Sequence, residues 1–312
     1  MKKEFLINLS DSKKWIMIAV LIILGIIFSN NTFAKDLKKL DEKSFDVKPG
    51  EKLTVSASVA DVDIRTWDKN EFNIKVFGNN NAEERMEFFF EKTSTGVRVK
   101  TEKRGNWISN LFWSNIQVKF EIMVPKNFDL DITTSGGDIT VGNLIGKMAL
   151  NTSGGDIKLS VTEGDLKATT SGGDIKLYKQ SGSSYVDTSG GDIIIKESTG
   201  KVDGSTSGGD INADIRNGKV NLDTSGGDIK LWYSGENYGI ALGTSGGDIA
   251  VYLPSSFKAN AHLSTSGGDV SCKINATSTT KKSSHKFIAE LNGGGEKLTV
   301  ETSGGDITVL EK

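Results

Sequence analysis

The stretch TSGGDIKLSVTEGDLKAT at residues 152–169 is followed at once by TSGGDIKLYKQSGSSYVD at residues 170–187. The two share the hexad Thr-Ser-Gly-Gly-Asp-Ile and a glycine six positions before the next threonine, Gly164 and Gly182. The same hexad begins at Thr134, Thr152, Thr170, Thr188, Thr206, Thr224, Thr244 and Thr302, and a ninth copy at Thr265 ends in Val270. From Thr134 to Thr224 the starts are evenly spaced at intervals of 18, and intervals of 20, 21 and 37 follow. A fixed period of this length marks an architecture of stacked repeats. The last interval, about twice 18, suggests one degenerate coil with its corner near Ser283 to Lys286. A second glycine column, Gly146, Gly164, Gly182, Gly200 and Gly218, gives each unit two turns and two short strands.

Parity shows which side chains face inward. Leu150, Val186, Val220, Leu222, Ile240, Leu242, Leu263, Leu298 and Val300 share the threonine's side of the pleat. Ile139 and Val141, Ile157 and Leu159, Ile175 and Leu177, Ile193 and Ile195, and Ile229 and Leu231 continue that row past the corner. Polar residues such as Asn151, Asp187, Lys158, Lys176 and Lys230 alternate with them. Period-2 alternation with one buried face is a strand signal, and recurrent glycine pairs exclude helix across 131–312. Short strands with one apolar face bury a core only when stacked. The reading is an all-β parallel β-solenoid, or β-helix, of about 18 residues per coil. About ten coils at ~4.8 Å each would make a rod of roughly 50 Å.

The Gly-Gly pair is expected to turn the chain at positive φ, where a Cβ would clash. The following aspartate can accept turn amides. Stacking would align Asp138, Asp156, Asp174, Asp192, Asp210 and Asp228 in a column. Neighbouring carboxylates ~4.8 Å apart repel by ~0.9 kcal/mol in water, which amide donors or counterions must offset. A purely structural corner is one reading. A calcium ladder on those six aspartates is a second, because RTX-type nonapeptide repeats also give coils of this length with Asp in the turns. Against it, the second turn holds Lys147, Lys201 or Lys219, and only Asp165 fits. An ice-binding threonine ladder is a third, but parity turns the threonines inward.

Composition narrows the function classes. Glycine numbers 36 and proline 3 among 312 residues, too little of the pair for a low-complexity chain. A formal charge of −2 gives no basic footprint for nucleic acid. Cys272, the single cysteine, makes no internal disulfide, and only His262 and His285 could serve histidine chemistry. No catalytic residue and no cofactor is assigned. Cys272 has inward parity and reads as a buried core residue.

Residues 1–34 read as a signal peptide. Lys2, Lys3, Lys13 and Lys14 precede the apolar run Trp15 to Phe28, and Ala34 offers a small residue for cleavage. That run falls short of the ~20 apolar residues that span a bilayer. An uncleaved anchor is the rival reading, and with it the one route to the membrane. Cleavage removes four lysines and two acids, Glu4 and Asp11, and so moves the formal charge from −2 to −4. The destination is then periplasm, cell surface or medium.

Residues 35–130 lack the hexad but alternate as strands at 53–59, 62–65, 72–76, 97–100 and 118–124. They read as an irregular β segment that caps or starts the solenoid, with the repeat domain at 131–312. Trp107, Ile108, Leu111, Phe112 and Trp113 form an apolar insertion, either a plug over the open core or a partner contact. Outward parity also falls on Tyr178, Trp232 and Tyr252, a stripe that could stack on sugar rings.

Three features carry a family resemblance: the hexad, the opening VADVDIRTWD at 59–68, and the closing GGGEKLTVETSGGDI at 293–307. With the strand ending in Val124-Pro125, they resemble the bacterial domain-of-unknown-function family labelled "putative adhesin". The resemblance covers nearly all of residues 44–312. It implies an exported β-solenoid of the cell envelope and no catalytic residues. The resulting expectation is a non-enzymatic surface or envelope binding module whose partner is a macromolecule, glycan included. An RTX-like calcium protein and a carbohydrate-active β-helix enzyme are the alternatives.

Overall fold

The computed structural model describes residues 37–104 and 115–312. The leader expected at 1–34 and the residues Trp107, Phe112 and Trp113 lie outside the described residues. The compact body runs Lys39–Lys312. Among the described residues one short helix, Asn80–Arg85, interrupts the strands. Asn79 caps it, its Oδ1 accepting the Ala82 N–H at 3.0 Å.

One coil shows how the repeat folds. Met148–Asn151 is a strand with Met148 and Leu150 buried and Ala149 and Asn151 exposed. The hexad carries the chain round a corner to Ile157–Leu159, where Ile157 and Leu159 are buried and Lys158 lies between them. Thr162–Glu163 forms a short third side, and Gly164 returns the chain to Leu166–Thr169, parallel to Met148–Asn151. All three sides advance by one sequence repeat per coil: Leu144 pairs with Thr162, Met148 with Leu166, and Ile157 with Ile175. The parallel core of each main sheet holds eleven strands, hence eleven coils. Ile139, Ile157, Ile175, Ile193, Ile211, Ile229, Ile249 and Ile307 are all buried. Each such burial contributes roughly 1.5–3 kcal/mol, and only stacking supplies it to strands this short.

The corner works differently from the expectation. No hexad glycine has positive φ; that conformation belongs to the second glycine column, at Gly146, Gly164, Gly182 and Gly200. What the hexad needs is close approach of backbone to backbone. A Cβ on Gly155 would lie 2.1 Å from the Gly137 carbonyl oxygen of the preceding coil, and one on Gly173 2.0 Å from that of Gly155. The first glycine of each pair is freer, since a Cβ on Gly154 meets nothing nearer than 3.7 Å. The hexad threonines are buried as parity requires. Thr152 Oγ1 donates to Gly137 O at 2.9 Å and accepts the Gly155 N–H at 3.3 Å, and the pattern repeats along the stack. One side chain thus satisfies two backbone groups that the corner would orphan.

At both ends the spatial order of coils departs from chain order. The coil of Lys52–Ser56 and Asp61–Trp67 lies between that of Gly96–Lys103 and Val118–Pro125 and that of Asp129–Thr133 and Ile139–Val141. Likewise the last coil, Lys297–Thr302 and Ile307–Glu311, lies between Ile240–Leu253 and Ala259–Cys272. Antiparallel strands close the stack beyond: Glu71–Gly78 and Met86–Thr93 at one end, Lys286–Leu291 and Ala276–Lys282 at the other. The degenerate coil expected near Ser283 to Lys286 is therefore a hairpin. Ala276–Lys282 is polar and almost wholly exposed, with no apolar alternation to line a core.

Cys272 also departs from expectation. It is half-buried, because Val270–Cys272 is the last strand of its sheet. Burial pushes its thiol pKa up.

Candidate functional site: the corner column and the lateral rows

The corner aspartates form a continuous column held by backbone amides. Asp138 Oδ1 accepts the Asp156 N–H at 2.8 Å, Asp156 that of Asp174, Asp174 that of Asp192, Asp192 that of Asp210, and Asp210 that of Asp228. The bonds run from coil to coil, where a local Asx turn would have kept them within one turn. The column begins before the first recognisable hexad: Asp61 Oδ1 accepts the Asp138 N–H at 3.0 Å, and Thr134 Oγ1 donates to Ala60 O at 3.1 Å. Ala60-Asp61 therefore occupies the place of Gly-Asp, a cryptic corner whose sequence signal is the Ala-Asp-Val-Asp-Ile string alone.

Electrostatics along the column follow the same contacts. Lys158 Nζ stands 3.0 Å from Asp156 and 3.9 Å from Asp138, and Lys176 Nζ 2.9 Å from Asp174. The Asp192 amide, then Lys176, hold the Asp174 carboxyl below its ordinary pKa. At the start of the column burial dominates and raises that of Asp61, although the Asp138 amide opposes it. One carboxylate per coil, with one oxygen already given to an amide, supplies a line of single oxygens. Calcium takes about 6–8 oxygens at roughly 2.3–2.6 Å. Among the described residues no group of three His, Cys, Asp or Glu side chains is placed to hold a metal ion.

The contact candidates among the described residues, Trp232 and Tyr252, fall on the outer face. Trp232 and Tyr252 occupy adjacent coils in register, their rings stacked at 5.0 Å and within 4° of parallel. Each ring covers one face of the other, so those two faces are closed to a sugar. Tyr178 is exposed and lies under Lys196, 5.5 Å from Nζ to the ring centroid. On the opposite sheet Lys167 covers Tyr185 in the same way at 5.8 Å. Each of these aromatics is thus partnered along the stacking direction.

Two features escaped the sequence reading. A shallow groove of about 380 Å³ is lined by Lys52, Asp129, Asp131, Lys147, Asp165 and Lys167, acids and bases alternating. Its signal was the charged residue after the first two second-column glycines, Lys147 after Gly146 and Asp165 after Gly164. At the far end, His285 Nδ1 lies 2.6 Å from the Gly268 carbonyl oxygen. In the inner coils that acceptor is served by the next threonine, so His285 stands in where no coil follows. His262 pairs in register with Thr299, on the outer row.

Comparisons with known proteins place the chain. A crystal structure of "a putative adhesin" from Bacteroides fragilis matches with 13% identity and a TM-score of 0.40, covering 89% of this chain and 98% of its own. A "putative lipid binding protein" from Parabacteroides distasonis matches with 12% identity and a TM-score of 0.37, covering 89% and 98%. A "putative cell adhesion protein" from Clostridium sporogenes matches with 16% identity and a TM-score of 0.20, covering 87% and 99%. No functionally curated protein matches. The family model described as Toastrack DUF4097 matches residues 50–310, the whole stack from its first coil to its last, and the chain belongs to that family.

Proposed function

We propose that the chain is a non-enzymatic binding module of the cell surface or envelope, exported with removal of residues 1–34. Its lateral faces would engage an extracellular or envelope macromolecule. The observation that carries this reading is the register. Lys158 lies on Lys176, and Trp232 on Tyr252, each one ladder step from the last. A partner would meet such like pairs at a spacing of ~4.8 Å, and several weak contacts would add. The groups most suited to chemistry, the corner carboxylates and threonines, hold one coil to the next.

The contact candidates are Trp232 and Tyr252 on the stack, and Trp107, Phe112 and Trp113 in the apolar insertion. The test is binding of the labelled chain from residue 35 onward to isolated envelopes and to a glycan array. W232A/Y252A and W107A/W113A are run beside it, with circular dichroism as the folding control. A severalfold loss of binding in one pair is expected. Wild-type chain that binds neither sample would overturn the reading, and full binding by both variants would remove the aromatics from it.

A further inference from the structure

Thr244 and Thr265 open consecutive hexads in the sequence, spaced by 21, close to the 18 or 20 that separates the hexads of adjacent coils from Thr134 to Thr244. They are nevertheless two coils apart, because Thr302 lies between them and pairs with both. The C-terminal coil thus fills a slot between two coils whose sequence spacing is that of direct neighbours.

The two walls of the slot match each other. Ile240, Leu242 and Thr244 pair with Leu298, Val300 and Thr302, which pair in turn with Ala261, Leu263 and Thr265. On the other sheet Ile249 and Val251 pair with Ile307 and Val309, and those with Val270 and Cys272. Without the middle coil, Leu263 would fall on Leu242, Thr265 on Thr244, and Val270 on Ile249. The corner bonds transfer as well. Gly247 O now accepts Thr302 Oγ1 at 3.0 Å, and Asp248 Oδ1 accepts the Asp306 N–H at 2.7 Å. Thr265 and Asp269 already make the equivalent bonds one step further on, to Gly305 O and Asp306 Oδ1.

The connections permit the move. Residues 254–258 join Leu253 to Ala259, and at ~3.3 Å each they reach one ladder step as readily as two. A hollow of about 470 Å³ lies beside them, lined by Gly235, Asn237, Pro254, Phe257, Lys258 and Gly295, and Phe257 anchors the segment against Tyr233. Asn237 Nδ2 bridges Lys258 O at 3.1 Å and Glu296 O at 2.9 Å, tying this connection to the entry of the last coil. That entry follows Gly293 and Gly294, both at positive φ.

We infer that the Ala259–Cys272 coil has two in-register seats, one on the C-terminal coil and one directly on the Ile240–Leu253 coil, so that the C-terminal coil is a removable insert. The hairpin Ala276–Leu291 travels with the Ala259–Cys272 coil, and the stack stays capped in both arrangements.

Disulfide trapping in the full chain distinguishes the seats, since Cys272 is the single native cysteine. Val309 pairs with Cys272, so V309C is expected to cross-link under diamide in the inserted arrangement. Val251 lies two steps from Cys272, ~9.6 Å away, beyond the ~7 Å limit for a bridge. V251C alone is therefore expected to stay reduced. Gly305→Val evicts the insert, because a Cβ there would lie 2.1 Å from Gly247 O. The V251C/G305V chain should then cross-link in most molecules while keeping its β-sheet circular dichroism. Reduced thiols in that chain, alongside an oxidised V309C control, would overturn the second seat. Loss of the sheet signal would overturn it equally, since the remaining stack is expected to survive withdrawal.

Discussion

A Cβ built on Gly191 would lie 2.0 Å from the carbonyl oxygen of Gly173, whereas one on its neighbour Gly190 meets nothing nearer than 3.6 Å. The two glycines of the inner hexads, Thr152 to Thr224, therefore have different duties. The second lets one coil's backbone press against the next, and the first occupies a corner position open to a side chain. Gly191→Ala must push the coils apart, at a cost of ~3 kcal/mol, the upper end for overpacking. Gly190→Ala should be neutral or stabilising by up to ~1 kcal/mol, because alanine narrows the unfolded ensemble without strain. Urea denaturation of the two variants checks this; similar midpoints would refute the assignment.

The hexad threonine carries the second prediction. Thr188 is buried, donates to Gly173 O at 2.9 Å and accepts the Gly191 N–H at 3.3 Å. Thr188→Val keeps shape and β propensity but leaves two buried backbone groups unpaired, at a cost of about 1–3 kcal/mol. Thr188→Ser restores both bonds and should recover more than half of that loss in the same denaturation series. A serine variant no better than valine would show that the methyl packing matters and the hydroxyl does not.

These two predictions mark what the sequence could and could not tell. Period, parity and inward threonines were legible because one spacing repeated from Thr134 to Thr224 leaves one way to stack period-2 strands. The role of the glycines was not, because positive φ and close approach both exclude a Cβ and leave the same letter. The coil order was not legible either. Strands at 53–56 and 298–302 carry the same alternation wherever they are seated, and only the three-dimensional register reveals that Leu298 lies between Ile240 and Ala261. The site was legible as residue types, since the aspartate column was expected. The use of its oxygens was not, because each accepts an amide of the following coil, a contact between consecutive repeats.

Acid titration separates two members of that column. The Asp174 carboxyl is held below its ordinary pKa by the Asp192 amide and Lys176. Its contribution is present above the unfolded value of 3.8 and is lost as pH falls through the lower folded value. Asp61 has the opposite sign: burial raises its pKa, so stability declines as pH rises from 3.8 through the folded value. D174N should therefore lose part of the acid-side decline in stability, while D61N should lose part of the decline on the rising side. Denaturation midpoints across the carboxylate titration range check both signs, and identical profiles for the two variants would contradict the contacts.

Removal of divalent cations is the last test of the corner. Each inner carboxylate spends one oxygen on an amide, and Lys158 and Lys176 hold the outer oxygens of Asp156 and Asp174. A calcium ion seated there would have to displace these lysines and would still find few oxygens within about 2.6 Å. The melting temperature and β-sheet signal are thus expected to be the same in EDTA and in millimolar calcium. A ligand that binds the folded chain at about 100 times its dissociation constant would add about 2.7 kcal/mol. A rise of several degrees with calcium, abolished in D192N/D210N, would reinstate the column as a cation site and would reverse the structural reading of the hexad.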